Sequence, residues 1–496
     1  MSNLFLIFFP FPVVVCIVVS FFVLLRIRRA KIGLPVVPGG LPFFGQVFVM
    51  VKGSPWDRMT EWTIKNGKNY VFHLFGSDPI CIADPKSLKV ILSTKMSVFR
   101  KDLEWTYKPF MVLLGSGLVT ADGQNWRRQR TLLSHTLRVK VLEDIPVMAY
   151  QAVSRLCIKL QIAKNRNEIV EMAEQFRHLT LQVIAEAILS LDSKESDQTF
   201  ARMYLPIVTE GNLRTWSPQR MYLPSPSWFQ FQHDVRRLNN YVTDIITQRW
   251  KLRLEEKRSE LPSNRKQDIL DISLDAIPEN EWGSTTIHQI RDEVKTFILA
   301  GHETSASTLT WTLFELCRNP EYMSRAREEA EKVFGVTSLS EGAMDFVLQH
   351  PPSVEKLAEL RFIYCCLKES LRKYSVVPSV VRTAAEDVDI EQMHIPKGAT
   401  VMLNLQGVHH NPHIWPEPLV YNPDRFLKDP EPYTFLAFID GPRQCLGQNL
   451  SLLETKIVIA LLLLSFDFQV MNPDAHEKHP FMVPIIPKNG HFMKIL

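Results

Sequence analysis

The sequence predicts a mainly α-helical body with a small β-rich portion, preceded by one membrane-spanning helix. Three observations predict it. Residues 4–25 are apolar throughout. Most of the chain from the mid-80s to about residue 375 repeats its apolar residues at helical spacing. Short β-like runs bounded by Gly, Pro and Asp occur just before that stretch and again after Tyr374.

The first element is LFLIFFPFPVVVCIVVSFFVLL, residues 4–25, which carries no charge. At the helical rise it is about 30 Å long, enough to cross a bilayer. Pro10 and Pro12 kink or delay its first half. Arg26, Arg28, Arg29 and Lys31 follow at once, so this end stays in the cytosol. A cleaved signal peptide would carry its charge before the apolar run and a small-residue cleavage site after it, and neither is present. Residues 1–32 therefore read as an uncleaved anchor with a basic stop.

Residues 33–45, GLPVVPGGLPFFG, read as a stiff Pro/Gly hinge, and 46–496 as one catalytic domain without an internal linker. Within it, YVFHLFGSDPICIADP gives two short strands around a turn. Helices are expected over 168–191, 233–258, 286–318 and roughly 446–466, with a polar loop around 259–266. VDIEQMHIPKGATVMLNL supplies further strands. MYLPSPSWFQF, residues 221–231, reads as an apolar loop broken by prolines that dips into the bilayer.

Composition excludes several function classes. A net charge of +4 is too small to argue for nucleic acid, and no Walker loop, G-x-G-x-x-G or zinc-type cysteine spacing occurs. The seven cysteines are odd in number and lack a C-x-x-C, which argues against a secreted disulfide framework. The adjacent Cys365 and Cys366 fall in a helical pattern and read as buried thiols. His302, His409, His410 and His413 do not make a metal set, because the adjacent pair projects in different directions.

One cysteine stands out. FLAFIDGPRQCLGQ, residues 435–448, holds Cys445 just before the last helix, among turn formers. A thiolate is a strong ligand for haem iron. Gly441 and Gly447 let backbone approach closely, Arg443 offers a pair for an acidic group, Phe438 shields the sulfur, and the helix start favours a negative sulfur. In LKESLRKY, Glu369 and Arg372 share one helical face. LAGHETSAST places small residues, Ala300 and Gly301, beside an acid, Glu303, and a hydroxyl, Thr304. That hydroxyl can bond its own helix backbone, and the acid can relay protons. NWRRQR sets Trp126 and Arg130 on one face.

W-x-x-x-R, A-G-x-E-T, E-x-x-R and F-x-x-G-x-R-x-C-x-G, in that order along the chain, resemble the motifs of the membrane-anchored, microsomal cytochrome P450 family, over residues 33–496. The resemblance implies the cytochrome P450 fold and haem b ligated through Cys445. It implies propionate contacts from Trp126, Arg130, Arg382 and Arg443, and an oxygen-activating stretch at Ala300, Gly301, Glu303 and Thr304. It also implies a structural Glu369–Arg372–Arg425 network, Arg425 lying in YNPDRFL. Two departures are visible. Asp440 precedes Gly441 where a small residue is common, and Ala300 stands where some ω-hydroxylases have a glutamate that esterifies the haem.

The implied activity is insertion of one oxygen atom from O₂ into a lipophilic small molecule of the fatty-acid, sterol, terpenoid or carotenoid class. The implied partners are an NADPH–cytochrome P450 reductase, with cytochrome b5 as a second donor, at the endoplasmic reticulum membrane, the catalytic domain cytosolic. Arg127, Arg128, Arg138 and Lys140 offer a basic docking face. Apolar pocket residues are expected at Trp105, Tyr107, Phe110, Met111, Phe297, Val376–Val381, Phe481 and Met482. Two alternatives are a hydroperoxide isomerase or dehydratase of the same fold and a non-catalytic membrane haem-binding protein. The intact Thr304 and Cys445 weigh against both.

Overall fold

The computed structural model describes residues 32–136, 140–217, 219–259, 267–338, 342–472 and 474–496. The expected anchor, its basic stop, Arg138 and most of the 259–266 loop lie outside the described residues.

The principal helices are α1 (Pro55–Asn66), α2 (Gly123–Thr136), α3 (Lys140–Asn165), α4 (Met172–Leu189), α5 (Ala201–Trp216), α6 (Pro226–Ser259), α7 (Ile269–Asp275), α8 (Ser284–Arg318), α9 (Pro320–Phe334), α10 (Arg361–Tyr374) and α11 (Gln448–Ser465). The long α8 packs most extensively along α4 and also touches α6, α10 and α11. Ile298, Leu309, Trp311 and Leu313 of α8 join Ile457–Leu464 of α11 in the main core. Each such side chain removed from water contributes roughly 1.5–3 kcal/mol before entropy is counted. Trp311 stacks on Tyr374 of α10 at 3.8 Å between ring centroids and donates to the Ile485 carbonyl at 2.9 Å. Among the described residues α11 is long and apolar enough to cross a bilayer, but it is mostly buried and serves as a core helix.

The larger sheet has five strands, β1 (Asn69–Val71), β2 (Ile80–Ile82), β3 (Phe99–Lys101), β4 (Ser379–Ala384) and β5 (Thr400–Asn404), in the order β1-β2-β5-β4-β3. β2 and β5 run parallel, and β3 and β4 antiparallel with Lys101 opposite Arg382. A second sheet joins Ile169–Glu171, Phe492–Ile495 and Phe468–Val470. The β-rich portion is thus assembled from distant pieces of chain, and the helical body with small sheets is as expected.

Two local expectations are corrected. The 168–191 helix begins only at Met172, because Ile169–Glu171 pairs with the C-terminal strand and Glu171 then caps the helix. The 33–45 segment is tied to the body: Val37 donates to the Val71 carbonyl, and Gly45 packs so closely that a Cβ there would lie 1.9 Å from the His73 oxygen. The 221–231 loop is mostly helix. Pro226 occupies the first turn of α6, where proline's missing N–H costs nothing, so its sequence signal marks a helix start.

Candidate active site

The cysteine loop is closed by its own backbone. Cys445 N–H donates to the Phe438 carbonyl at 2.9 Å, and Gly441 turns with a φ of +77°. A Cβ on Gly441 would sit 2.5 Å from the Leu92 carbonyl oxygen, so close approach is real there. At Gly447 a Cβ would meet no protein atom within 4 Å, and the residue lines a cavity. Asp440 turns back to accept the Gly441 amide at 2.6 Å, which makes its carboxylate part of the turn.

Behind the loop stands the expected network. Arg372 meets Glu369 through two bonds of 2.7 Å, both side chains being fully buried, and Arg425 approaches the same carboxylate at 3.4 Å. Arg372 also donates to the His409 carbonyl at 2.8 Å, and the His409 ring accepts the Leu436 amide at 2.8 Å. Burial pushes His409 well below its ordinary value, so the ring is neutral and can accept. A continuous chain of bonds therefore runs from α10 to the residues that begin the cysteine loop. His410 instead donates from Nε2 to the Lys373 carbonyl at 2.7 Å, and no metal-binding cluster exists among the described residues.

The loop, α8 and β4 enclose a cavity of about 280 Å³. Cys445 is exposed to it, and Phe438, Arg443, Gly447, Trp126, Arg130, Ala300, Gly301 and Thr304 all line it. Burial pushes the Cys445 thiol up, against the Gly447 backbone and Arg130, which pull it down. Thr304 donates to the Ala300 carbonyl at 2.7 Å, as its mid-helix position suggests. Gly301 leaves room in the cavity and is also demanded by packing, since a Cβ there would come within 2.8 Å of Ile184.

Glu303 departs from expectation. It does not line this cavity; its carboxylate turns towards α4, 2.8 Å from Arg177. There it borders a second, polar cavity of about 310 Å³ with Glu174, Arg177 and His178. Burial would raise Glu303, but His302 and Arg177 hold it below the usual carboxylate range. His302 is itself pushed down to about 4 by burial, so at neutral pH Arg177 carries the effect. His302 packs edge-on to Tyr204, away from the cysteine, as expected.

One end of the cysteine cavity is strongly cationic. Arg443 stacks over Trp126 at 4.2 Å and pairs with Asp122, its Nε having no hydrogen-bond partner among the described residues. Lys101, missed in the sequence, lines the cavity and donates to the Tyr107 hydroxyl at 3.3 Å. Burial pushes Lys101 down to about 8, with Arg382 and Arg443 adding to the shift. Arg443 falls to about 10 by burial despite Asp122. Arg382 is buried, bonds the Val381 carbonyl, and lies behind Lys101 rather than on the cavity wall. A surplus of buried positive charge with an unpartnered guanidinium nitrogen fits the two carboxylates of a haem. The sulfur exposed to the same space and the open ground at Gly447 fit its ring and iron. Lys101 was hidden because one lysine in a three-residue strand carries no pattern; its only signal is its place opposite Arg382.

A larger cavity of about 1050 Å³ adjoins the first, sharing Val377 and Val380. Trp105, Tyr107, Phe110, Met111, Val381 and Phe481 line it, and Phe297 and Val376 line the smaller one; Met482 lines neither.

A family model described as Cytochrome P450 matches residues 35–492. Among curated proteins, human Cytochrome P450 4X1 is 31% identical over 434 residues, 84% of this chain and 81% of that protein. Cytochrome P450 4c21 of Blattella germanica is 27% identical over 91% of each chain. Human Cytochrome P450 4F8 is 30% identical, covering 78% of this chain and 75% of its own length.

Proposed function

The chain belongs to the cytochrome P450 family, a haem monooxygenase drawing electrons from a partner, and on that premise we propose that it oxygenates a lipid of the fatty-acid, sterol, terpenoid or carotenoid class. The observation that carries the substrate reading is the large, mainly apolar cavity that adjoins the space before Cys445 and shares Val377 and Val380 with it.

When bound, the haem b supplies activation of O₂, with the electron-rich thiolate favouring cleavage of the O–O bond. The protein's own part is threefold. Cys445 would hold the iron through its sulfur. Lys101, Arg130, Arg443 and Trp126 would hold the propionates, with Arg382 adding positive charge beside Lys101 from the neighbouring strand. Thr304 presents its hydroxyl to the cysteine cavity, and Glu303, next to it on α8, is the proton carrier. In its ion pair Glu303 is ionised, so it takes a proton from the polar cavity only after parting from Arg177.

Electrons come from an NADPH–cytochrome P450 reductase, with cytochrome b5 as a second donor. The exposed Arg127 and Arg128 suit an acidic partner; of the other docking candidates, only the backbone of Lys140 is described. The enzyme works at the endoplasmic reticulum membrane. An apolar surface supports this, where exposed Phe43, Phe44, Phe48 and Phe75 cluster ring on ring just after the expected anchor. The test is turnover with reductase, NADPH and ¹⁸O₂ on a panel of fatty acids, sterols, terpenoids and carotenoids. A product carrying one ¹⁸O supports the reading; products only from polar compounds would refute it.

A further inference from the structure

A fourth space lies beside the haem-side cavity and takes no part in the steps above. It measures about 800 Å³, within the range of small-molecule sites, and lies between α2, α7 and the first half of α8. Much of its wall is aliphatic, with Leu132, Leu133, Leu270, Ile290 and Val294. Ile269 and Phe297 line both this space and the haem-side cavity, so a single layer of side chains separates them.

Glu293 stands in that wall, only 8% exposed. Its Oε2 accepts the Leu118 amide at 2.9 Å, while its Oε1 is buried with no hydrogen-bond partner among the described residues. A buried carboxylate oxygen left unpaired is destabilising, and an occupant with a donor group would relieve that. A cationic head would have to pass Arg127 and Arg128 at the rim, and an anionic one would meet Glu293 itself. A neutral donor on an aliphatic chain satisfies both ends.

We propose that this space is a second binding site, for an aliphatic alcohol whose hydroxyl donates to Glu293 Oε1 and whose chain lies against Ile290, Val294 and Phe297. Because the other oxygen of Glu293 fixes Leu118, which lines the haem-side cavity, occupancy is coupled to the substrate side. Hydroxylation of a lipid chain yields an alcohol, so if the substrate reading holds, the site accepts the class of compound the enzyme makes. The binding claim itself stands without that reading.

Burial pushes Glu293 up to about 7, so at pH 8 it is mostly an acceptor. The test is calorimetry at pH 8 on the haem-loaded protein, its haem-side cavity first saturated with a lipophilic imidazole. The expected result is one equivalent of 1-decanol bound, about tenfold tighter than decyl methyl ether, which has the same chain and no donor. Ala276→Trp after α7 and Thr285→Trp at the start of α8 should each abolish that binding while leaving imidazole affinity intact. No saturable binding, equal affinity for the ether, or binding unchanged in whichever of the two variants folds would overturn the proposal and leave the space to water. None of these outcomes depends on turnover, so a failure here is distinct from a failure of the substrate reading.

Discussion

Glu303 and Thr304 are neighbours in sequence but face different cavities from α8: Thr304 lines the cysteine cavity, and Glu303 meets Arg177 at 2.8 Å. Successive helical residues point about 100° apart, so one helix can hold a hydroxyl at the reaction space and an acid at a polar inlet. Two substitutions separate these roles. Thr304→Ala should consume NADPH with product per NADPH reduced on the order of tenfold, substrate affinity being unchanged. Glu303→Gln should slow product formation by about 10², the lower range for a proton-transfer group. Unchanged coupling in Thr304→Ala, measured as product per NADPH, would remove Thr304 from the account.

Lys101 predicts two pH effects of opposite sign. Its folded value is depressed to about 8 from 10.5, so between those values the unfolded chain binds one more proton than the folded haem-free protein. Stability of the haem-free protein should therefore rise with pH through that window. Propionates favour the charged lysine, so haem affinity should fall over the same window. Lys101→Met should flatten both trends, read by chemical unfolding and by haem titration from pH 7 to 10.

The Glu369–Arg372 pair is fully buried, and removing one partner strands the other. Glu369→Gln or Arg372→Ala should cost about 3–5 kcal/mol and release haem. Arg372→Lys should not rescue, since one ammonium cannot replace the paired bonds to Glu369 together with the bond to His409. Thermal unfolding and haem content report both.

The two loop glycines should fail differently. Gly441→Ala puts a Cβ against the Leu92 carbonyl at a φ of +77°, and should destabilise the folded chain by about 2 kcal/mol or more. Gly447→Ala meets no protein atom, so the haem-free protein should keep its melting temperature while haem affinity falls. Loss of stability without loss of haem binding in Gly447→Ala would contradict the placement of the ring.

These contrasts mark what the sequence can carry. Spacing along one chain made Cys445, Thr304, Trp126 and the Glu369–Arg372 pair legible, because each lies within a short motif. The side on which Glu303 falls depends on how α8 packs against α4, and Arg177 is an ordinary basic residue in EQFRHL until that packing supplies its partner. Lys101 gains meaning only from pairing of β3 with β4 across 281 positions of sequence, from Lys101 to Arg382. MYLPSPSWFQF misled because a proline that opens a helix looks, in sequence, like one that breaks it.

The reduced-CO difference spectrum tests the central claim, that Cys445 ligates the haem as a thiolate. Wild-type protein loaded with haem should show the long-wavelength band of thiolate ligation, and Cys445→Ala should retain haem at reduced affinity without that band. The same spectrum from both proteins would contradict the account.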